Sequence, residues 1–171
     1  MNASVARHAD KVVKEAKARR LTLASVESCT AGSLGLLLAD VPGATDVFHG
    51  GFIVYTKANK VAAIGVPEAL IEAHTAVSRE VAEAMARGGI ARSPADIAVA
   101  ITGVAGPEPD EDGNPVGIVH VAAACRDDRM SHVERNFGKR SRKENRNLSL
   151  EVALDLLEAV MRASEEPRKA G

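Results

Sequence analysis

Apolar side chains recur every three or four residues at the start of the chain. Val5, Ala9, Val12, Val13 and Ala16 fall on one side, with lysines and arginines elsewhere, which predicts an opening helix. Arg19-Arg20 stand near its end, where basic side chains meet exposed carbonyls. Leu21 to Val26 then reads as a first strand, and Gly32 to Asp40 as a short, nearly all-apolar helix. Val41 to Thr45 is a turn, and Phe48 to Thr56 is a strand in which Gly50-Gly51 suggests a bulge. Lys57 to Ile64 is helical, and Pro67 opens another short helix. Ser78 starts a clearer one, with Val81, Ala82, Met85 and Ala86 on one face but no glutamate to complete a capping box. Ile97 to Ile101 is a buried strand, followed from Thr102 to Val116 by a loop of glycine, proline and acidic residues. Ile118 to Cys125 and Val133 to Phe137 form a strand pair through Asp127-Asp128-Arg129. A last helix carries Leu148, Val152, Leu156, Leu157 and Val160, and from about Glu165 the sequence reads as a frayed tail.

Helices interleaved with about five strands, ending in a hairpin-like pair, predict an α/β fold. The expected form is a three-layer α/β/α sandwich on a mixed, mostly parallel sheet. No internal repeat or linker interrupts residues 1–171, so a single domain is expected.

Composition narrows the function more than the fold. Aromatic residues are only 2% of the chain, so the core must come from Ala, Val, Leu and Ile, and stacking platforms for single-stranded nucleic acid are missing. A net charge of -1 gives no general attraction to nucleic acid or acidic lipid. No apolar run approaches the roughly 20 residues of a membrane span. The N-terminal sequence runs straight into charged helix, so a cytoplasmic protein is expected.

Cys29 and Cys125 form no CxxC pair, and the five histidines show no HExxH or i,i+4 spacing. Neither a P-loop nor a strand-linked GxGxxG is present. The acidic run Glu108 to Gly113 fails as a calcium loop, because the position needing a bidentate glutamate is Val119. That run reads instead as a solvated, mobile loop. No metal and no organic cofactor are expected.

The strongest local signal is Glu27-Ser28-Cys29-Thr30-Ala31-Gly32, where an extended segment turns helical. One reading makes Ser28 or Thr30 simply the cap of the next helix. The other makes the helix start an anion or oxyanion site, with a hydroxyl and a thiol beside it. Tyr55 and Lys60 follow a second strand and Thr102-Gly103 end a third. If those strands are parallel, all three ends point polar residues toward one edge, where α/β sheets place their crevices.

These residues carry a resemblance to the CinA C-terminal domain family, over roughly Val13 to Val160. The family's ESCTxG is Glu27 to Gly32, and its PG(S/A)(S/T) is Pro42 to Thr45. Its FxxGFxxY is Phe48, Gly51, Phe52 and Tyr55, and its GV is Gly65-Val66. Its AVS is Ala76-Val77-Ser78, its TG(I/V)AGP is Thr102 to Pro107, and its PVG is Pro115-Val116-Gly117. Stand-alone members of that family, of the PncC type, are nicotinamide-mononucleotide amidases in pyridine-nucleotide salvage. The resemblance implies hydrolysis of that carboxamide to carboxylate and ammonia without a cofactor. It implies Ser28 as nucleophile, with Lys60 as base and Tyr55 relaying a proton or orienting Ser28.

A serine hydroxyl needs a neighbouring base, and a desolvated lysine can serve as one. Cys29 is a rival nucleophile, since a helix N-terminus also favours a thiolate. Backbone groups from Cys29, Thr30 and Gly32 are the expected oxyanion donors. Thr102, Gly103 and Gly106 would shape the ribose-side wall through close backbone approach. Arg142 and Arg146, matching the family's RxxxR, share a helix face and could grip the substrate's phosphate, even across a subunit interface. The expected partners are therefore the small-molecule substrate and further copies of this chain in a homo-oligomer.

Three departures bear on activity. The family's Y(S/T)NEAK is Tyr55-Thr56-Lys57-Ala58-Asn59-Lys60, Thr75 replaces a glycine, and the Gly-rich run after TGxAGP is Glu108 to Asp112. An added lysine and an acidic lid suggest altered substrate preference or, as the alternative, a non-catalytic nucleotide- or partner-binding relative.

Overall fold

The computed structural model describes residues 3–163, so the expected tail lies outside the described residues. In chain order the elements are α1 (Ala3–Ala18), β1 (Leu23–Glu27), α2 (Ser33–Ala39), β2 (Phe48–Ile53), α3 (Lys57–Ile64) and α4 (Glu68–His74). They continue as α5 (Arg79–Ala91), β3 (Ile97–Gly103), β4 (Ile118–Cys125), β5 (Met130–Asn136) and α6 (Arg142–Ala163). The five residues that predict the first helix are the five that α1 buries.

The sheet runs β2-β1-β3-β4-β5. β1 pairs in parallel with β2 and β3, whereas β4 is antiparallel to both β3 and β5. Four strands therefore share one direction and β4 alone is reversed. The irregularity expected in β2 falls at His49, which the pairing skips between Leu23↔Phe48 and Ala24↔Gly50.

Pleating divides β1 between two cores. Leu23 packs with Val12, Leu34, Leu154 and other residues of α1, α2 and α6. Val26, one strand-face over, packs with Ile64, Ile71, Val81 and Met85 of α3, α4 and α5. This is the three-layer arrangement expected, and it is built almost without aromatic residues. Among the described residues no helix is long and apolar enough to cross a membrane.

Among the differences from the sequence reading are two strand ends and one helix face. β2 stops at Ile53 rather than Thr56, because Thr56 turns out to cap α3: its Oγ1 accepts the Asn59 N–H at 3.1 Å. β5 begins at Met130, because pairing with β4 runs down to Ala124↔Met130 beside the turn. In α6 Leu150 and Leu154 are the fully buried leucines missed by the sequence reading, while Leu148 and Val152 lie at the margin.

Small residues let α5 lie close to the sheet and to α3. A Cβ on Gly88 would collide with the Ile64 carbonyl oxygen, and one on Gly89 would sit 2.6 Å from Val26 Cγ2. Backbone cannot yield there as a flexible side chain can. Gly88→Ala is therefore expected to destabilise the fold by about 1–3 kcal/mol, read from its urea midpoint against the unaltered chain.

Candidate active site

Because β1, β2 and β3 are parallel, their C-terminal ends meet at one edge of the sheet. A pocket of about 410 Å³ opens there, lined by residues that include Ser28, Tyr55, Lys60, Thr102 and Arg142. The edge inferred from the sequence is thus a physical cleft.

At its centre Lys60 lies within hydrogen-bond range of Ser28: Nζ is 2.8 Å from the Ser28 hydroxyl oxygen. Nζ also donates to the Val54 carbonyl at 3.1 Å. Lys60 is only 1% exposed, on the face of α3 turned toward the sheet. Burial disfavours its ammonium form and lowers its pKa from 10.5 to about 8, opposed by the Cys29 sulfur. No carboxylate partners it among the described residues. α3 is held at its start by the Thr56 cap, and the Asn59 side chain donates back to the Ile53 carbonyl at 3.0 Å. The lysine is therefore aimed by a helix fixed to the end of β2.

Ser28 continues the β1 ladder, its N–H donating to the Ile101 carbonyl at 3.0 Å. The chain then turns through Ala31 and Gly32, both with positive φ, of 52° and 89°. Glycine suits the second of these, and a Cβ there would sit 2.9 Å from Ile53 Cδ1.

The expected capping role of Thr30 is corrected by the structure. Gly32 holds the cap position without a side-chain bond, and the Thr30 hydroxyl is buried with no partner. The cap is Glu27, a residue the sequence reading left without a role. It is 1% exposed, and its two oxygens accept the N–H groups of Leu34 (3.0 Å) and Gly35 (2.8 Å). Pleating sends Glu27 toward α2 and the next residue, Ser28, toward α3. The helix start that suggested an anion site is thus filled by an internal carboxylate.

Burial disfavours the thiolate that Cys29 would need as a rival nucleophile. Burial pushes its thiol up to about 11, despite Lys60 and Arg146 nearby. Tyr55 is 52% exposed, and its hydroxyl accepts from Arg142 Nη1 at 3.3 Å rather than bonding Ser28 or Lys60. The geometry supports a place in the pocket wall for Tyr55 and shows no relay path.

The two arginines part company. Arg142 lines the pocket and has no carboxylate partner among the described residues. Arg146 turns inward, its Nε donating to the Cys29 carbonyl at 2.9 Å, so of the two expected arginines only Arg142 lines the pocket. Asn145, which the sequence reading missed, is fully buried and donates to the Ala105 carbonyl at 3.1 Å. One turn of α6 thereby touches all three strand-end loops.

Thr102 is also buried, with its hydroxyl donating to the Ala76 carbonyl at 2.7 Å. Gly103 and Gly106 line the pocket, but their missing side chains answer first to the fold. A Cβ on Gly103 would sit 2.7 Å from the Ile118 carbonyl oxygen, and one on Gly106 would sit 2.8 Å from Val116 Cγ1. The backbone N–H groups of Ala105 and Gly106 donate to no internal acceptor among the described residues, so they are available at the pocket wall.

The acidic loop is not the free segment expected. Asp110 accepts from the Asn114 N–H and side chain, both at 2.8 Å, and Asn114 Nδ2 donates on to Thr75 Oγ1 at 3.1 Å. Lys57 reaches across to it from α3, leaving the Ser28–Lys60 contact undisturbed. No cluster of three or more candidate metal ligands occurs among the described residues.

The profile of the CinA C-terminal domain matches residues 5–161. The chain is 45% identical over 147 residues to a CinA-like protein of Synechococcus sp. strain RCC307, covering 85% of this chain and 35% of that protein. It is 48% identical over 108 residues to a putative competence-damage inducible protein of Symbiobacterium thermophilum, covering 63% of this chain and 25% of the relative. The chain thus spans only a quarter to about a third of the length of these curated relatives. Solved structures match more completely. The competence/damage inducible protein CihA of Agrobacterium tumefaciens superposes with a TM-score of 0.90 at 33% identity, covering 94% of this chain and 97% of that one. A CinA superfamily protein of Escherichia coli gives 0.87 at 29% identity, covering 94% and 93%.

The Glu27 cap has a measurable cost of loss. Glu27→Ala leaves two helix N–H groups, one of them fully buried, without an acceptor. A destabilisation of about 2 kcal/mol is expected by chemical denaturation.

Proposed function

The chain belongs to the CinA C-terminal domain family, and we propose that it is an amidase that hydrolyses nicotinamide mononucleotide to nicotinate mononucleotide and ammonia. The carrying observation is the 2.8 Å contact between Ser28 and a buried lysine whose pKa lies at about 8. A lysine this close to neutrality carries a lone pair in a useful fraction of molecules at physiological pH.

In this reading the neutral Lys60 amine takes the Ser28 proton as the hydroxyl oxygen attacks the carboxamide carbon. Its own N–H, donated to the Val54 carbonyl, keeps the lone pair aimed at Ser28. Charge developing on the carbonyl oxygen is met by main-chain N–H groups, of which those of Ala105 and Gly106 are available. One such donor is typically worth ~3 kcal/mol of transition-state stabilisation. The Lys60 ammonium returns its proton to the departing amine, ammonia leaves, and an ester remains on Ser28. Water, deprotonated by the same lysine, then cleaves the ester to give the carboxylate and free serine. Tyr55 acts as a wall and as a partner for Arg142, whose guanidinium receives the phosphate.

The non-catalytic alternative drew on the changed Lys57-Ala58 pair. Because Lys57 is turned toward the acidic loop, that change leaves the dyad intact and gives the alternative no geometric support.

Ser28→Ala is expected to lower ammonia release from nicotinamide mononucleotide by at least about a thousandfold, while Cys29→Ala stays within about tenfold of the unaltered chain. A loss confined to Cys29→Ala would move the nucleophile to the thiol. The activity of the unaltered chain is expected to climb as pH rises through about 8, as Lys60 loses its proton.

Lys60→Met separates function from fold. The folded state holds Lys60 near 8 against an ordinary 10.5, so the unfolded chain binds the proton more tightly. The cost to stability is complete below pH 8 and fades as pH rises toward 10.5. Lys60→Met should therefore abolish turnover yet stabilise the chain by up to about 3 kcal/mol at pH 7. That gain should shrink at pH 10, with urea midpoints of both proteins as the readout.

A further inference from the structure

Two of the departures from the family pattern are in contact with each other. They are Lys57, two positions after Tyr55, and the acidic run Glu108 to Asp112. In space the Lys57 ammonium lies 2.8 Å from Glu111 Oε1 and 2.7 Å from Asp112 Oδ1. Those bonds, that to Asp112 first, raise the Lys57 pKa, so the charge persists at every physiological pH. All three residues line the same pocket, together with Glu108, Asp110 and Arg142.

The electrostatics of this mouth are lopsided without Lys57. Four carboxylates of one loop would face one guanidinium, that of Arg142, which is committed only to the Tyr55 hydroxyl, with the part-protonated Lys60 amine buried beneath. An anionic group approaching Arg142 would meet a field dominated by negative charge. With Lys57 in place, two of those carboxylates are paired, and Asp110 is bound up with Asn114 inside the loop.

The geometry points to Lys57 as a specificity-determining residue that neutralises the acidic loop, so that the pocket admits a substrate with an anionic group bound at Arg142. This deepens the functional reading above and rests on its assignment of a phosphate to Arg142. The role is one of local potential. Exposed ion pairs add little to folding stability, so loss of the pair should scarcely move the melting temperature.

The test compares three proteins: the unaltered chain, Lys57→Met, and Lys57→Met combined with Glu111→Gln and Asp112→Asn. For each, calorimetry gives the Kd of nicotinamide mononucleotide at low and high salt, and ammonia release gives KM and kcat. Lys57→Met should weaken binding by about tenfold at low salt, with the loss largely screened in high salt. The triple variant should recover binding to within about twofold of the unaltered chain.

An unchanged Kd in Lys57→Met overturns the inference. So does a loss that the triple variant fails to recover, since that would be lost packing or a lost latch. A melting temperature that falls in step with affinity overturns it too. Failure of the functional reading looks different: the binding pattern appears as expected, but the unaltered chain releases no ammonia. No mononucleotide binding by the unaltered chain overturns both.

Discussion

Burial of the Lys60 amine against Ser28 is the constraint on which the site depends. An ammonium group is strongly hydrated, and removing it from water without a carboxylate partner is unfavourable. The fold tolerates it by supplying one carbonyl, that of Val54, and one hydroxyl, that of Ser28. This is too little to hold the charged form at its ordinary pKa, and the amine drifts toward neutrality. A methionine of similar length would fill the same space at lower cost. A side chain that weakens its own fold in this way is the mark of a candidate functional site.

Keeping that contact requires three strand ends to be registered against one another, and different polar groups hold each. Glu27 locks β1 to α2, so the residue after it presents its hydroxyl at a fixed point. Thr56 and Asn59 lock α3 to the end of β2 and thereby aim the lysine. Asn145 and Arg146, adjacent on α6, hold the Ala105 and Cys29 carbonyls of two loops that line the pocket. Both bonds satisfy backbone oxygens in loops that have no strand partner. The same contacts that meet the backbone's hydrogen-bonding needs thus define the shape of the cleft.

Much of this was legible in the sequence, for a physical reason. Helix faces and strand alternation depend on local periodicity, so α1, α3 and β4 were read almost to the residue. The convergence of Ser28, Lys60 and Thr102 needed only parallel strands, which interleaved helices already implied. Glu27 was illegible as a cap because it lies seven residues before the first N–H it serves, far outside the usual cap position. The Arg146 contact with the Cys29 carbonyl was not legible, because spacing on a helix fixes which side chains share a face but not what lies opposite each. On α6 the buried arc is wide, since the helix packs on both α1 and the sheet, and periodicity alone could not choose between Leu148 and Leu150.

Lys57 and the acidic loop show how charge at a pocket mouth can be balanced apart from the groups deeper inside. Charge at the pocket mouth acts over several ångströms and sets which ligands approach. The contact between Ser28 and Lys60 is short, at 2.8 Å, and both side chains are buried. A carboxylate added to the mouth therefore perturbs binding before it perturbs the dyad, and a lysine within reach of that carboxylate cancels the perturbation where it arises. Lys57 and Lys60 sit three positions apart on one short helix, Lys57 partly exposed and Lys60 buried. One serves the solvent-facing loop, and the other is shut away from water. Three positions turn the helix by about 300°, so the two side chains emerge as neighbours, and it is the burial of Lys60 that puts the two amines in different dielectric surroundings. That separation lets one lysine stay charged at every physiological pH while its neighbour gives up its proton near pH 8.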